Sequence, residues 1–191
     1  LSYLRDRGLS LDTIKEFNLG FSPSKSDELI VFLKSKGYEG HDIEKAGLAF
    51  KTENTSLVDR FRNRVMFPIL NLSGKVVAFG GRSLNTAYGA KYINSAETKI
   101  FKKGSMLYNL KNAKQNIKNN PILVVEGYMD VISLTNNSIN NVVAPLGTAL
   151  TKEQLELIWS VCEEPILLLD GDNAGKHAAS RAVELALPLI S

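Results

Sequence analysis

Residues 122–135 read Ile-Leu-Val-Val-Glu-Gly-Tyr-Met-Asp-Val-Ile-Ser-Leu-Thr. The unbroken apolar run Ile122–Val125 predicts a strand covered on both faces. Glu126-Gly127 ends it, and Met129–Thr135 predicts a helix. The alternation continues downstream. Asn141–Ala144 predicts a strand, and Thr151–Val161 a helix in which Thr151 and Gln154 have capping-box spacing. Ile166–Leu169 predicts a strand and Ala174–Leu187 a helix. Strands alternating with helices at this spacing predict βαβ units on a parallel sheet, hence an α/β fold.

Two of these strands end in acid. Glu126 follows the first, and Asp170-Gly171-Asp172 follows the third. Right-handed crossovers put both ends on one edge of the sheet, the carboxyl edge where open α/β sheets bind ligands. Three carboxylates in one small volume repel unless some are protonated or a cation sits among them. Hard oxygen donors in a partial set suit Mg²⁺, which keeps several waters and accepts phosphate oxygens. The carboxylates are expected within about 8 Å of one another, close enough to share hydrated divalent ions. Asp172 taken alone reads equally as the cap of the helix after it. Asp130 reads either as a partner that orients the other acids or as a first-turn acid facing the helix dipole. Residues 171–176, Gly-Asp-Asn-Ala-Gly-Lys, fall one residue short of a Walker A loop, and His177 stands in place of its Ser/Thr. Gly175 reads instead as a close-packing glycine in the first turn of a helix.

Upstream the pattern changes at Asn119-Asn120-Pro121. Helices are predicted over Leu11–Phe17, capped by Ser10, over Asp27–Lys36 and over Asp42–Ala46. Arg64–Leu70 and Lys75–Phe79 predict an antiparallel hairpin about Asn71-Leu72-Ser73-Gly74, its second strand broken by Gly80-Gly81. Residues 83–104 read as polar loop and Leu107–Ile117 as a helix. Residues 59–116 hold 11 Lys/Arg and 2 Asp/Glu, whereas residues 117–191 hold 4 and 9. A basic block beside an acidic one points to a polyanion-binding surface feeding an acid or metal site, against the alternative of a merely solvated basic face. Arg60, Arg62 and Arg64 alternate, so a strand would place them on one face. Arg82 follows two glycines that would let a phosphate or base approach the backbone. Lys91, Lys102 and Lys103 stand in a loop rich in Asn, Ser and Thr, residues suited to phosphate contact. Of Phe61, Tyr92 and Phe101, two are expected in the core, leaving one to stack on bases.

Composition narrows the classes. The chain has 191 residues, 44% hydrophobic and 23% charged, with a net charge of +3. That is ordinary for a globular protein and excludes disorder, collagen or coiled coil as an overall description. The lone Cys162 excludes an internal disulfide, and with His41 and His177 it makes no structural zinc site. No apolar run suggests a membrane span and no leader marks secretion, so the sequons at Asn54, Asn71 and Asn136 are read as chance. A chain opening on Leu1 is expected to be part of something longer.

Six ordered motifs carry a resemblance: Asp59-Arg-Phe-Arg-Asn-Arg-Val-Met-Phe-Pro-Ile69, Ala78-Phe-Gly-Gly-Arg82, Lys91-Tyr-Ile-Asn-Ser-Ala-Glu-Thr98, Val125-Glu-Gly-Tyr-Met-Asp130, Leu146-Gly-Thr148 and Asp170-Gly-Asp172. Together with Tyr3–Ser10 they resemble the catalytic core of bacterial replicative DNA primase of the DnaG type. The resemblance implies a mixed α+β basic subdomain over 1–118 and a TOPRIM module, parallel-sheeted and Rossmann-like, over 119–191. The family's next strand and a further Asp-X-Asp would fall beyond Ser191, so a carboxylate pair is expected to be missing and the activity of this piece alone to be in question. The implied function is synthesis of short RNA primers on single-stranded DNA by Mg²⁺- or Mn²⁺-dependent nucleotidyl transfer. Glu126, Asp170 and Asp172 match the metal-binding acids and Asp130 the second acid of its motif. Arg7, Arg82, Lys91 and Lys103 match positions that bind template and nucleotide, and Arg60, Arg62, Arg64 and Asn94 complete that candidate set. The implied partners are single-stranded DNA, ribonucleoside triphosphates and, through a family domain absent here, the replicative helicase. The implied place is the bacterial cytoplasm at the replication fork. Competing readings are a TOPRIM nuclease or topoisomerase, for which no nucleophilic Tyr stands out, and a non-catalytic DNA-binding module.

Overall fold

The computed structural model describes residues 2–85, 89–117, 120–147 and 149–189. In chain order the elements are α1 (Ser2–Asp6), α2 (Leu11–Glu16), β1 (Gly20–Ser22), α3 (Glu28–Ser35), α4 (Gly40–Lys45), β2 (Ala49–Lys51), β3 (Leu57–Asp59), β4 (Arg64–Leu70), β5 (Val76–Ser83), β6 (Tyr92–Asn94), β7 (Leu107–Tyr108), α5 (Leu110–Gln115), β8 (Leu123–Val124), α6 (Tyr128–Asn136), β9 (Val142–Pro145), α7 (Lys152–Trp159), β10 (Ile166–Leu167) and α8 (Asn173–Ala186). They form two compact units. One comprises Leu1–Glu16, Leu70–Lys75 and Lys102–Ser191; the other comprises Phe17–Ile69 and Val76–Phe101.

The first unit is built on the sheet β10-β8-β9-β7. β10 and β9 flank β8, both parallel to it, in register Ile166↔Leu123 and Leu123↔Val142. The βαβ expectation is met, with one addition. Leu107-Tyr108, expected to open a helix, instead pairs antiparallel with β9, and the helix starts only at Leu110. Leu107, Leu110, Ala113, Ile122, Val124, Val143 and Ile158 form the core beneath. Burying each large aliphatic side chain there contributes about 1.5–3 kcal/mol. The start of the chain is pinned to this unit by Asn136 in α6. Its Oδ1 accepts from the Ser10 N–H at 2.9 Å and the Thr13 hydroxyl at 2.8 Å, while its Nδ2 donates to the Gly8 carbonyl. The residue read as a chance sequon is thus a clasp. Ser10 also caps α2, its hydroxyl accepting from the Thr13 N–H at 3.1 Å.

The second unit holds the sheet β1-β4-β5-β6 and the hairpin β2-β3. The turn between β4 and β5 falls where the sequence puts it, with Gly74 at φ +81. β5 does not break at Gly80-Gly81 but runs on to Ser83, because β6 pairs with Gly80, Gly81 and Arg82. Gly81 is required for another reason. A Cβ there would lie 2.7 Å from the Phe61 ring, so a side chain of the protein, rather than a ligand, makes the close approach. α3 lacks a cap from its own Asp27. The buried Asp59, at the end of β3, supplies it: its carboxylate accepts from the Leu29 N–H at 2.8 Å and the Ile30 N–H at 3.0 Å.

Candidate active site

Parallel pairing brings the acids to one edge of the first unit's sheet. Glu126 follows β8 and Asp170 follows β10, and the Asp170 N–H donates to Glu126 Oε1 at 2.9 Å. Asp130, in the first turn of α6, reaches back to accept from the Gly127 N–H at 3.0 Å. Desolvation, and then the negative charges of Asp170 and Glu126, raise its carboxyl above the usual carboxylate range. Of the two roles open for Asp130, the first-turn one is filled, in the company of the other two acids. Asp172 caps α8, its Oδ1 accepting from the Gly175 N–H at 2.8 Å. Gly175 fits no other residue, since a Cβ would lie 2.0 Å from the Asp170 carbonyl oxygen. Glycine here lets the Asp170–Asp172 turn wrap tightly onto the helix.

The donor set consists of exposed, hard carboxylate oxygens: Glu126, Asp130 and Asp172 each keep one oxygen outside the bonds just described, and Asp170, which donates only its N–H, keeps both. Among the described residues no three His, Cys, Asp or Glu side chains are arranged as a ready-made ion cage. Exposed carboxylate oxygens of this kind suit a hard cation that retains several of its waters. The sheet also places Lys103 in this unit. The turn Lys103–Ser105 leads into β7, whose Leu107 pairs with Pro145 at the carboxyl end of β9. Arg7 belongs to this unit too, exposed, its guanidinium 5.6 Å from the Tyr3 ring centroid. Leu146 and Gly147 lie at the same edge, beyond β9, while Thr148 of that motif lies outside the described residues.

The remaining basic candidates belong to the second unit and do not share one strand face. The chain leaves β3 at Asp59 and re-enters a strand only at Arg64, and Asn63 between them is left-handed at φ +52. The alternation rule therefore does not apply. Arg60 is half-buried and donates from Nε to the Asn94 carbonyl at 2.8 Å, and Arg62 is exposed. Arg64 is buried, its Nη1 donating to the carbonyls of Ala90 at 2.9 Å and Gly81 at 3.3 Å; burial, then Arg62, lowers its pKa. Arg82 is also buried. It donates to the Tyr92 hydroxyl at 3.0 Å and lies 5.4 Å from that ring's centroid. Lys91 is exposed. A cleft of about 730 Å³ runs between Ser24, Ser26, Phe50, Arg60, Arg62, Asn63, Arg64 and Ile93. No acid lines it. Ser24, Ser26 and Phe50 were not singled out from the sequence, because nothing local links them to residues 60–64. Phe61 and Phe101 are core residues, and Tyr92 is the exposed aromatic of the three.

Known proteins resemble this chain in sequence and backbone. Residues 1–114 match the family model described as DNA primase catalytic core, N-terminal domain, and residues 120–189 match the Toprim domain. A DNA primase of Clostridium acetobutylicum is 46% identical over 183 residues, covering 96% of this chain and 30% of the relative. The chain thus spans about a third of the curated relatives it matches. A solved Escherichia coli primase catalytic core superposes with a TM-score of 0.89 at 43% identity, covering all of this chain and 61% of that one. A DnaG primase catalytic domain bound to single-stranded DNA superposes with a TM-score of 0.88 at 42% identity, covering all of this chain and 59% of that one. The acidic sheet edge and the strands that carry the basic residues thus lie within backbone shared from end to end with solved primase cores, and the chain belongs to the bacterial DnaG-type primase catalytic core family.

Proposed function

We propose that this chain carries the template-directed RNA-synthesising chemistry of a bacterial primase. Residues 1–118 would form the basic N-terminal domain that holds template, and residues 119–191 the acidic Toprim module. The family matches, which end at 114 and resume at 120, support that division. The observation that carries the reading is the Glu126–Asp170 bond, which joins two strand ends into one acidic edge with Asp130 beside it.

Glu126, Asp170 and Asp172 would hold Mg²⁺, or Mn²⁺ in its place, through the oxygens left outside their structural bonds. Such an ion, when bound, activates the attacking hydroxyl and steadies the leaving phosphate oxygens. The chain's own contribution is geometric and electrostatic. The Asp170 N–H fixes the Glu126 carboxylate, and the Gly175 N–H fixes that of Asp172. Lys103 and Arg7, in the same unit, would bind triphosphate or primer. Arg62 and Lys91, exposed in the second unit, would contact template phosphates, and Arg60, Arg64, Arg82 and Asn94 would shape that surface. The partners would be single-stranded DNA, ribonucleoside triphosphates and, through parts of its relatives that this chain does not span, the replicative helicase. The setting would be the bacterial cytoplasm. Among the described residues no helix is long and apolar enough to cross a membrane.

The test is ribonucleotide incorporation on a single-stranded template by the complete polypeptide, wild type beside Glu126→Gln. Loss of incorporation in the variant with DNA binding retained supports the reading. Equal incorporation by both overturns it. A wild type that binds DNA but never incorporates ribonucleotides would instead be a binding module.

A further inference from the structure

Gln154 is among the most buried polar side chains of the molecule, 1% exposed, and it is fully engaged. Its Oε1 accepts from the Thr151 N–H at 3.1 Å, closing the cap of α7. That leaves the amide's two donors, and they go 51 and 48 residues back along the chain. Nε2 donates to the Lys103 carbonyl at 2.9 Å and to the Met106 carbonyl at 2.8 Å. The neighbouring Thr151 hydroxyl donates to the Gly104 carbonyl and accepts from the Gln154 N–H at 3.1 Å. One capping box therefore bolts both sides of the Lys103–Ser105 turn to the start of a helix.

The place of that turn gives the bolt a purpose. α7 begins after the carboxyl end of β9, which runs parallel to β8 and so ends on the same sheet edge as Glu126. β7 runs antiparallel to β9, so the chain entering it comes from that edge as well. Gln154 thus ties the backbone of a lysine to the edge where Glu126, Asp130 and Asp170 gather. A lysine whose backbone is held at the edge of acids that would hold a divalent ion suits a ligand with several phosphate groups, which could meet both charges at once.

We propose that Gln154 is a positioning residue that, through its bonds to the Lys103 and Met106 carbonyls, holds Lys103 against the triphosphate of the incoming ribonucleotide rather than against the template. This rests on the proposed primase chemistry and deepens it. An apolar side chain at position 154 removes the bonds to both turn carbonyls and to the cap N–H, leaving the Thr151 hydroxyl on Gly104, so the turn is loosened.

The experiment uses the complete polypeptide and measures equilibrium binding of a ribonucleoside triphosphate, KM and kcat for primer elongation, and thermal unfolding. Gln154→Met is expected to raise both the nucleotide Kd and KM about tenfold, the loss of roughly one charge contact. Its kcat should change less than twofold, measured well below its Tm. Lys103→Ala should likewise raise Kd and KM, and the double variant should bind nucleotide no worse than Lys103→Ala alone. Thr151→Val should raise Kd by a smaller factor, and Thr151→Ser, which keeps the hydroxyl, should match wild type. These two serve in place of Gln154→Met where that variant does not fold. A lowered Tm with unchanged Kd and KM overturns the inference, as does full additivity of the Gln154 and Lys103 effects. An unchanged Kd in Lys103→Ala overturns the assignment of Lys103 to the triphosphate, and the inference with it, while leaving primase chemistry intact. Loss of incorporation in every arm, wild type included, points instead to failure of the primase reading.

Discussion

Glu126 and Asp170 stand 44 residues apart, yet the N–H of one donates to the carboxylate of the other at 2.9 Å. The bond reaches from the end of β8 to the end of β10, so one side chain closes the sheet edge and presents a charge there.

A substitution that keeps the acceptor separates those two tasks. Glu126→Gln should leave stability within about 0.5 kcal/mol of wild type. It should weaken Mg²⁺ or Mn²⁺ binding clearly. Glu126→Ala should lose both, with about 0.5–1.5 kcal/mol of stability. Thermal melts and Mn²⁺ titration followed by electron paramagnetic resonance check this. Equal ion affinity in wild type and Glu126→Gln would leave the residue with the structural task alone.

Gly175→Ala should be among the costlier single-methyl additions in the chain, at roughly 2–4 kcal/mol. The added carbon would lie 2.0 Å from the Asp170 carbonyl oxygen, a backbone atom that cannot swing aside. Urea unfolding monitored by circular dichroism measures it, and a cost below about 0.5 kcal/mol would mean that the turn relaxes freely.

Asp59 sets a pH dependence. Desolvation is the largest influence on its carboxyl and raises it above 3.8, outweighing the two N–H bonds from α3 that lower it. A carboxyl raised in the folded state ionises first in the unfolded chain. Its contribution to stability is therefore greatest below pH 3.8 and is lost as pH climbs through the folded value. The stability of wild type minus that of Asp59→Asn should fall as pH rises across that window. Asp59→Ala, which removes the cap outright, should cost about 1–2 kcal/mol. A difference that grows with pH would reverse the sign.

Arg62 and Arg64 should part company. Arg62 is exposed in the basic cleft, so Arg62→Ala should lower the log–log salt slope of single-stranded DNA binding by about 0.7, with little change in melting. Arg64 spends its guanidinium on backbone carbonyls, so Arg64→Met should cost about 1–3 kcal/mol of stability. Fluorescence anisotropy across a salt series reads the first and thermal unfolding the second. The reverse pattern would move Arg64 to the DNA and Arg62 to the fold.

The parallel strands were legible because Ile122–Val125 and Ile166–Leu169 are apolar throughout, and the Thr151–Gln154 cap because both its residues are local. What escaped was long-range. Leu107-Tyr108 is too short to announce a strand and became one only against β9. Gly80-Gly81 reads as a breaker unless the Phe61 ring is known to lie on it. The three arginines alternate in sequence, but a left-handed Asn63 rotates them out of alternation. Asp59 looks like a free acid of a basic motif because the helix it caps begins 31 residues earlier. The acids were legible as neighbours on one sheet edge, and their employment as backbone acceptors was visible only for Asp172.

The Asn136 clasp has a consequence for how the chain is made. Gly8, Ser10 and Thr13 find their partner only after some 126 further residues have left the ribosome, on the order of 10 s of synthesis. During that interval α1 and α2, at 5 and 6 residues, are too short to persist alone. Residues 17–69 and 76–101 emerge whole in the meantime and have their own sheet to fold into. The N-terminal helices are therefore among the last parts of the chain to settle, although they are the first to be synthesised, and a nascent chain halted before residue 136 should leave them open to a protease.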